Sequence, residues 1–317
     1  MRRGSSSPPD SYSIGDKMPA EIIDGKRISS EIKENLREKV EDLRKKGVVP
    51  GLAAVLVGDD PASQVYVNMK AKACEQVGIH SEVFRYPKEL PEYDLLEKIE
   101  ELNNKESIHG ILVQFPTPEK ISEEKVILTI DPKKDVDGFH PFNVGMMLAG
   151  KPTFLPCTPL GIQELLMRSG NDPSGKHVVI LGRGSLVGRP LAPMLFQKSK
   201  GANATVTVCH TATKNLTDLT LQADILIAAM GKAKFVTAPM VKRGVVVIDV
   251  GTNRVEDSSS KSGYRLVGDV DFDSVKEVAK AITPVPGGVG PMTIAMLLSN
   301  TVKACEMLSS AGSTDSP

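Results

Sequence analysis

His177-Val178-Val179-Ile180-Leu181-Gly182-Arg183-Gly184-Ser185-Leu186-Val187-Gly188-Arg189-Pro190 decides the fold class. Val178–Leu181 is an apolar, largely β-branched run, as in a strand covered on both faces. A G-x-G-x-x-x-G turn follows, and from about Val187 the pattern is helical. Glycines at a strand-to-helix turn let backbone amides approach a pyrophosphate, and the helix N-terminus favours its charge. Glycines also make tight turns for structural reasons alone, so the signal takes its weight from context. That context is three more apolar runs: TVTVCH (205–210), ADILIAAMG (223–231) and GVVVIDVG (244–251). Together they predict a parallel sheet of the Rossmann dinucleotide-binding type.

The second strand discriminates between NAD and NADP. A NAD site places Asp or Glu about 20 residues beyond the glycines, where it bonds the ribose 2′-hydroxyl. TVTVCH instead runs into His210-Thr211, with no acid at that point. Arg183 lies in the glycine loop and can pair with a 2′-phosphate, and Thr211 adds a hydroxyl. The plain alternative is a solvated Arg183; the missing acid favours NADP.

Upstream, strand and helix alternate a first time. Ile28, Ile32, Leu36, Val40 and Leu43 recur at helical spacing, and Gly47 ends that helix. LAAVLV (52–57) suits a buried strand. Helical spacing returns over 62–77 and stops at Gly78; a strand near Glu82–Arg85, a helix over 92–103 and a strand over Ile108–Val113 follow. Loops rich in Pro, Gly and Asp then occupy Gln114–Pro118 and Asp131–Pro141, beyond a strand end, where α/β folds hold ligands. Tyr66 and Lys70 stand four apart on the second helix and share a face. Such pairs are commonly surface neighbours. A lysine that accepts protons must instead be partly buried, because desolvation favours the neutral amine. Asp135-Val136-Asp137 invites a magnesium reading, but a lone D-x-D in a loop more often makes turns. His80, His109 and His140 have no metal-ligand spacing, so no metal site is expected.

Composition sets outer limits. A chain of 317 residues suffices for two domains of ~100–200 residues each. With 40% hydrophobic and 25% charged residues it can bury an ordinary core. Zero formal net charge argues against a nucleic-acid partner, which favours a basic stripe. No apolar run approaches the ~18 residues of a membrane span. Cys74, Cys157, Cys209 and Cys305 are scattered, which suits reduced thiols in the cytoplasm. Residues 1–17 are Ser- and Pro-rich and read as a disordered extension; Arg2 and Arg3 raise organellar targeting, but Asp10 and Asp16 weaken it.

Further motifs occur in fixed order: PAS (61–63) with Tyr66, Val67 and Lys70, GILVQFPTP (110–118), DVDGFHP (135–141), PCTP (156–159), DVGTN (249–253) and ITPVPGGVGPMT (282–293). From about Ile22 to Leu308 the chain resembles the bifunctional methylenetetrahydrofolate dehydrogenase/cyclohydrolase family. The resemblance implies NADP-dependent oxidation of 5,10-methylenetetrahydrofolate to the methenyl cation, then hydrolysis to 10-formyltetrahydrofolate. It implies that Lys70, Tyr66 and Gln114 surround the reacting carbon and that Asp137 holds the pterin. It implies that Pro286, Gly287 and Gly288 line the folate, and that Gly182, Arg183, Gly184, Ser185, Thr211 and Thr252 hold NADP. A homodimer is implied as well, with the last helix returning to the first domain. The expected division is a catalytic α/β domain over 18–156, joined by helix 291–308, a Rossmann domain over 157–290, and a flexible tail over 309–317.

Three positions depart from the family pattern. Gly184 stands where the usual G-R-S has serine, with Ser185 beside it. VQFPTP replaces V-Q-L-P-L-P, placing Phe115 and Thr117 near the folate. His210-Thr211 replaces the usual H-S and keeps a hydroxyl. Two other readings remain open on residues alone. Another two-domain amino-acid or hydroxy-acid dehydrogenase would share the Rossmann half without requiring VQFPTP or PVPGGVGPMT. A nucleotide-sensing binding protein without catalysis would be favoured by loss of Lys70 or Asp137, and both are present.

Overall fold

The computed structural model describes residues 19–260 and 263–311. The expected extension at 1–17 and the tail beyond 311 lie outside the described residues. The chain begins with β1 (Glu21–Ile22), α1 (Gly25–Lys45), β2 (Gly51–Val57), α2 (Pro61–Val77), β3 (His80–Tyr86), α3 (Glu92–Asn104), β4 (Gly110–Val113), α4 (Glu123–Thr129) and α5 (Pro141–Leu148). It continues through α6 (Cys157–Arg168), β5 (His177–Leu181), α7 (Gly188–Phe196), β6 (Thr205–Cys209), α8 (Leu216–Thr220), β7 (Ile225–Ala228) and β8 (Val246–Asp249). Last come β9 (Asn253–Glu256), β10 (Tyr264–Val267), α9 (Phe272–Val275), β11 (Ala281–Ile282) and α10 (Val289–Ala311).

Two parallel sheets form. One has three strands in the order β3-β2-β4; the other has six, in the order β1-β11-β8-β7-β5-β6. β9 and β10 make a separate antiparallel hairpin. The second sheet therefore has two strands more than the four apolar runs announced. β1 comes from the start of the chain and pairs with β11, Glu21 against Ala281 and Ile22 against Ile282. Two-residue strands show no periodicity, so only the tertiary pairing reveals them. α10 begins two residues earlier and ends three later than the expected 291–308, so residues 309–311 continue the helix.

The strands that were legible are buried on both faces. In β2, Leu52, Ala54 and Leu56 join one apolar cluster, while Ala53, Val55 and Val57 join another. In β5, Val178 and Ile180 join the first of these, while Val179 and Leu181 face a third cluster. The period-2 alternation thus splits each strand between two cores. A fully buried side chain of this size contributes roughly 1.5–3 kcal/mol. The first cluster spans both sheets through α1, α6 and α10, and α10 packs along α6 and α1. Both ends of the described chain therefore stitch the two sheets together. None of the described helices is long and apolar enough to cross a membrane.

Candidate active site

α2 is set by its ends. Asp60 caps the helix, accepting from the Ser63 amide at 2.7 Å; Pro61 opens the first turn; Gly78 closes it in the left-handed conformation. Ser63, Val67, Lys70, Cys74 and Val77 form its inward stripe. Lys70 is therefore a buried lysine, 8% exposed, rather than the surface neighbour its spacing allowed. Its Nζ donates to Gln114 Oε1 at 2.9 Å. Gln114 follows β4, where its backbone amide extends the sheet to Val55 O at 2.8 Å. Gln114 Nε2 donates to Phe115 O at 2.7 Å, so the amide oxygen is turned toward Lys70. Tyr66, one turn before Lys70, stands at the rim and is 37% exposed.

The DVDG segment separates its two carboxylates by role. Asp135 is buried and organises the turn, accepting from the amides of Gly138, Phe139 and His140 and from Asn143 Nδ2. Turn chemistry, rather than a cation, thus explains Asp135. Asp137 takes no part in that turn through its carboxylate and is half-buried. Burial pushes its carboxyl above the ordinary aspartate range, Asp135 adds to this, and the Lys70 charge and a bond from the Cys157 thiol oppose it. α10 supports the segment from behind. Asn300 Nδ2 donates to Val136 O at 2.8 Å and to Leu155 O at 3.1 Å.

A cavity of about 340 Å³ opens beside Tyr66. Tyr66, Thr252, Pro286, Gly287 and Gly288 all line it, so these five candidates are brought together. Thr252, expected on the cofactor side, thereby shares a wall with the folate candidates. A second cavity of about 400 Å³ lies between the glycine loop and the first half, lined by Ser185, Leu186, Phe115, Gly138 and Pro156 among others. Phe115 thus faces this cleft and not the one beside Tyr66. Thr117 closes its own turn, donating to Ile121 O at 3.2 Å.

The glycine turn fits a pyrophosphate. Gly182 has φ +111°, and a Cβ there would lie 2.1 Å from Ala229 O; at Gly188 it would lie 2.1 Å from Gly182 O. Both positions therefore exclude side chains, which brings the turn against the end of β7. Gly184 differs: it has no positive φ and nothing stands within 4 Å of a Cβ. Arg183 and Thr211 are exposed at the carboxyl ends of β5 and β6. Among the described residues Arg183 has no ion-pair partner, so its charge is available to an anion.

Sequence reasoning missed a pair of buried aspartates beneath these loops. Asp249 ends β8 and is 3% exposed; Asp269 follows the hairpin and is 0% exposed. Asp249 accepts from the amides of Gly251, Asp269 and Val270. Asp269 accepts from the amides of Met230, Gly231 and Lys232 and from Asn253 Nδ2. The available signal was the pair D-V-G (249–251) and G-D-V (268–270), each aspartate within two residues of a glycine.

A Rossmann-type sheet with an open glycine turn, joined along a cleft to a second α/β unit that holds a buried amine, defines a two-domain dinucleotide-dependent oxidoreductase. Within that class, the chain belongs to the tetrahydrofolate dehydrogenase/cyclohydrolase family. The family's catalytic-domain model matches residues 23–137 and its NAD(P)-binding-domain model matches residues 156–309. The bifunctional protein FolD of Prosthecochloris aestuarii is 57% identical over 286 residues, covering 89% of this chain and 97% of its own. Among solved structures, the FolD methylenetetrahydrofolate dehydrogenase/cyclohydrolase of Campylobacter jejuni superposes with a TM-score of 0.86 at 50% identity, covering 91% of this chain and 99% of its own. The Trypanosoma brucei enzyme, solved with NADP and an inhibitor, superposes with a TM-score of 0.87 at 39% identity, covering 94% of this chain and 100% of its own.

Proposed function

We propose that the protein oxidises 5,10-methylenetetrahydrofolate to 5,10-methenyltetrahydrofolate with NADP and hydrolyses the product to 10-formyltetrahydrofolate, within one-carbon metabolism. The observation that carries this reading is the partly buried Lys70–Gln114 hydrogen bond next to Asp137, in a chain of this family. NADP, when bound, supplies the hydride acceptor. Gly182, Arg183, Gly184, Ser185, Thr211 and Thr252 are the residues to hold it, the glycine turn receiving the pyrophosphate and Arg183 the 2′-phosphate.

Oxidation asks little proton chemistry of the protein. Hydride leaves the methylene carbon with its electron pair, and the folate nitrogens stabilise the cation. What the chain supplies is placement. Asp137 accepts N–H bonds from the aminopyrimidinone edge of the pterin, Tyr66 covers the folate ring, and Pro286, Gly287 and Gly288 form the facing wall. Hydrolysis differs, because the water must lose a proton as its oxygen bonds to the methenyl carbon; one of that carbon's two bonds to folate nitrogen then breaks, and the released nitrogen keeps the water's other proton. The Lys70 amine accepts the first proton, with Gln114 Oε1 fixing the direction of the amine.

The same reading divides the chain into a folate unit over 18–156, joined by the last helix, and an NADP unit over 157–290. It takes the working form as a cytoplasmic homodimer. Cys74, Cys157, Cys209 and Cys305 are buried and unpaired, which suits a reducing compartment; light scattering at twice the chain mass tests the dimer. The enzymatic test adds methylenetetrahydrofolate and NADP to the purified protein and follows NADPH and methenyltetrahydrofolate by absorbance. NADPH formation followed by decay of the methenyl signal supports the reading. NADP binding without turnover refutes it in favour of a nucleotide-binding protein.

A further inference from the structure

The loops at the carboxyl ends of β7 and β8 are irregular, yet their backbone amides converge on one side chain. Asp269 Oδ2 accepts from Met230 N at 2.7 Å and Gly231 N at 2.9 Å; Oδ1 accepts from Lys232 N and Asn253 Nδ2, both at 2.9 Å. Buried polar groups need partners, and a single carboxylate satisfies four donors here. The segments it ties together are not neutral scaffolding. Residues 230–232 follow Ala229, whose carbonyl lies against Gly182 of the glycine turn. Asn253 follows Thr252, which lines the cavity beside Tyr66. One carboxylate therefore sets the spacing between the glycine turn and the Thr252 loop. Two glycines make room for the arrangement. A Cβ on Gly251 would lie 2.2 Å from Asp269 Oδ1, and one on Gly268 would lie 1.7 Å from Asp249 Oδ2.

We infer that Asp269 is a positioning residue for the dinucleotide, holding the β7 and β8 loops in register with the glycine turn. Asp249 holds Asp269 in place through the amides of residues 269 and 270. Neither Asp269 nor Asn253 lines the cavity beside Tyr66. The two half-reactions therefore separate the roles, because hydrolysis needs no dinucleotide. The inference rests on the proposed function only for its kinetic arm; dinucleotide affinity is read directly.

The test is Asp269→Asn, which keeps the volume but replaces one oxygen by an amino group and so orphans two of the four donors. Three quantities are measured against wild type: NADP affinity by calorimetry, dehydrogenase kcat/KM, and cyclohydrolase rate on preformed methenyltetrahydrofolate without NADP. Two lost bonds correspond to an NADP Kd raised by roughly tenfold or more, with dehydrogenase kcat/KM falling in step and cyclohydrolase within about twofold of wild type. An unchanged Kd overturns the inference. So does an equal fall in both activities, which marks Asp269 as general scaffolding. Asn253→Ala removes a single donor and serves if Asp269→Asn does not fold. It must raise the Kd by a smaller factor with cyclohydrolase preserved, and an unchanged Kd again overturns the inference. If wild type binds NADP but turns over no folate, the proposed function fails while the Kd comparison still decides the role of Asp269.

Discussion

Lys70 Nζ and Gln114 Oε1 meet at 2.9 Å across 44 residues of sequence, joining the inward face of α2 to the residue after β4. The bond fixes a lysine amine that burial has already removed from bulk water. One N–H of the amine is thereby committed to the Gln114 oxygen. Tyr66, one turn earlier on α2, lines the neighbouring cavity, and Lys70 does not.

Removing that amine separates the two reactions. General-base catalysis supplies about 10²–10⁴-fold, so Lys70→Met lowers the cyclohydrolase by about that factor. The dehydrogenase falls less, through disturbed folate placement, and methenyltetrahydrofolate accumulates. Separate assays of the two steps check this. An equal loss in both makes Lys70 a residue of placement only.

Arg183 tests the choice of dinucleotide. Its exposed guanidinium has no ion-pair partner among the described residues, and no acid follows β6. Arg183→Ala weakens NADP far more than NAD in paired binding titrations. Equal weakening removes the 2′-phosphate assignment.

Gly184→Ser restores the hydroxyl usual in the family. Nothing stands within 4 Å of the added Cβ and the backbone is not left-handed, so the fold accepts serine. A new hydrogen bond of ~0.5–1.5 kcal/mol tightens NADP by about two- to tenfold, with little change in melting temperature. Unchanged affinity means that Ser185 or the backbone amides already make the contact.

Asp137→Ala separates folate from NADP. The substitution raises the folate KM or abolishes turnover, while calorimetry shows NADP binding as in wild type. Normal folate kinetics would remove Asp137 from the folate site.

Asp249 gives a pH dependence. Burial pushes its carboxyl up from 3.8 to about 7, Asp269 pushes the same way, and three backbone donors oppose the shift. A folded pKa above the unfolded one means the fold binds the proton more tightly. Its contribution to stability is therefore full below about pH 4 and is lost as pH rises through about 7. In Asp249→Asn this component vanishes, so the fall in melting temperature between about pH 4 and 7 becomes shallower than in wild type. Identical slopes in the two proteins would show that Asp249 does not titrate there.

Much of the architecture is written locally. The apolar runs at Leu52–Val57 and Val178–Leu181 announce doubly covered strands because a β-branched, uncharged stretch is stable only where both faces are buried. Asp60, Pro61 and Gly78 mark the ends of α2 because unpaired helix-end amides and a left-handed residue have few chemical solutions. The turn at Gly182–Gly188 follows from contacts that leave no volume for a side chain. The short elements were silent. β1, β11, α8 and α9 are too brief to show a period, and β9 and β10 alternate only weakly between half-buried and exposed residues.

The candidate site divides the same way. Its residue types were legible, because an amine, a phenol, an amide and a carboxylate stand in ordered motifs. The sequence by itself determined two α/β units, their order, the glycine turn and the residues able to do the chemistry, since nearest-neighbour sterics and hydrophobic periodicity act along the chain. Only the tertiary structure decided that Lys70 faces inward to Gln114, that Thr252 shares a cavity with Tyr66, and that Glu21 pairs with Ala281. It alone decided that Asp135 and not Asp137 makes the turn through its carboxylate, and that Asp249 and Asp269 interlock. Such pairings join groups far apart in sequence, and no local preference encodes them. They arise when burial removes water from polar groups, which must then find one another.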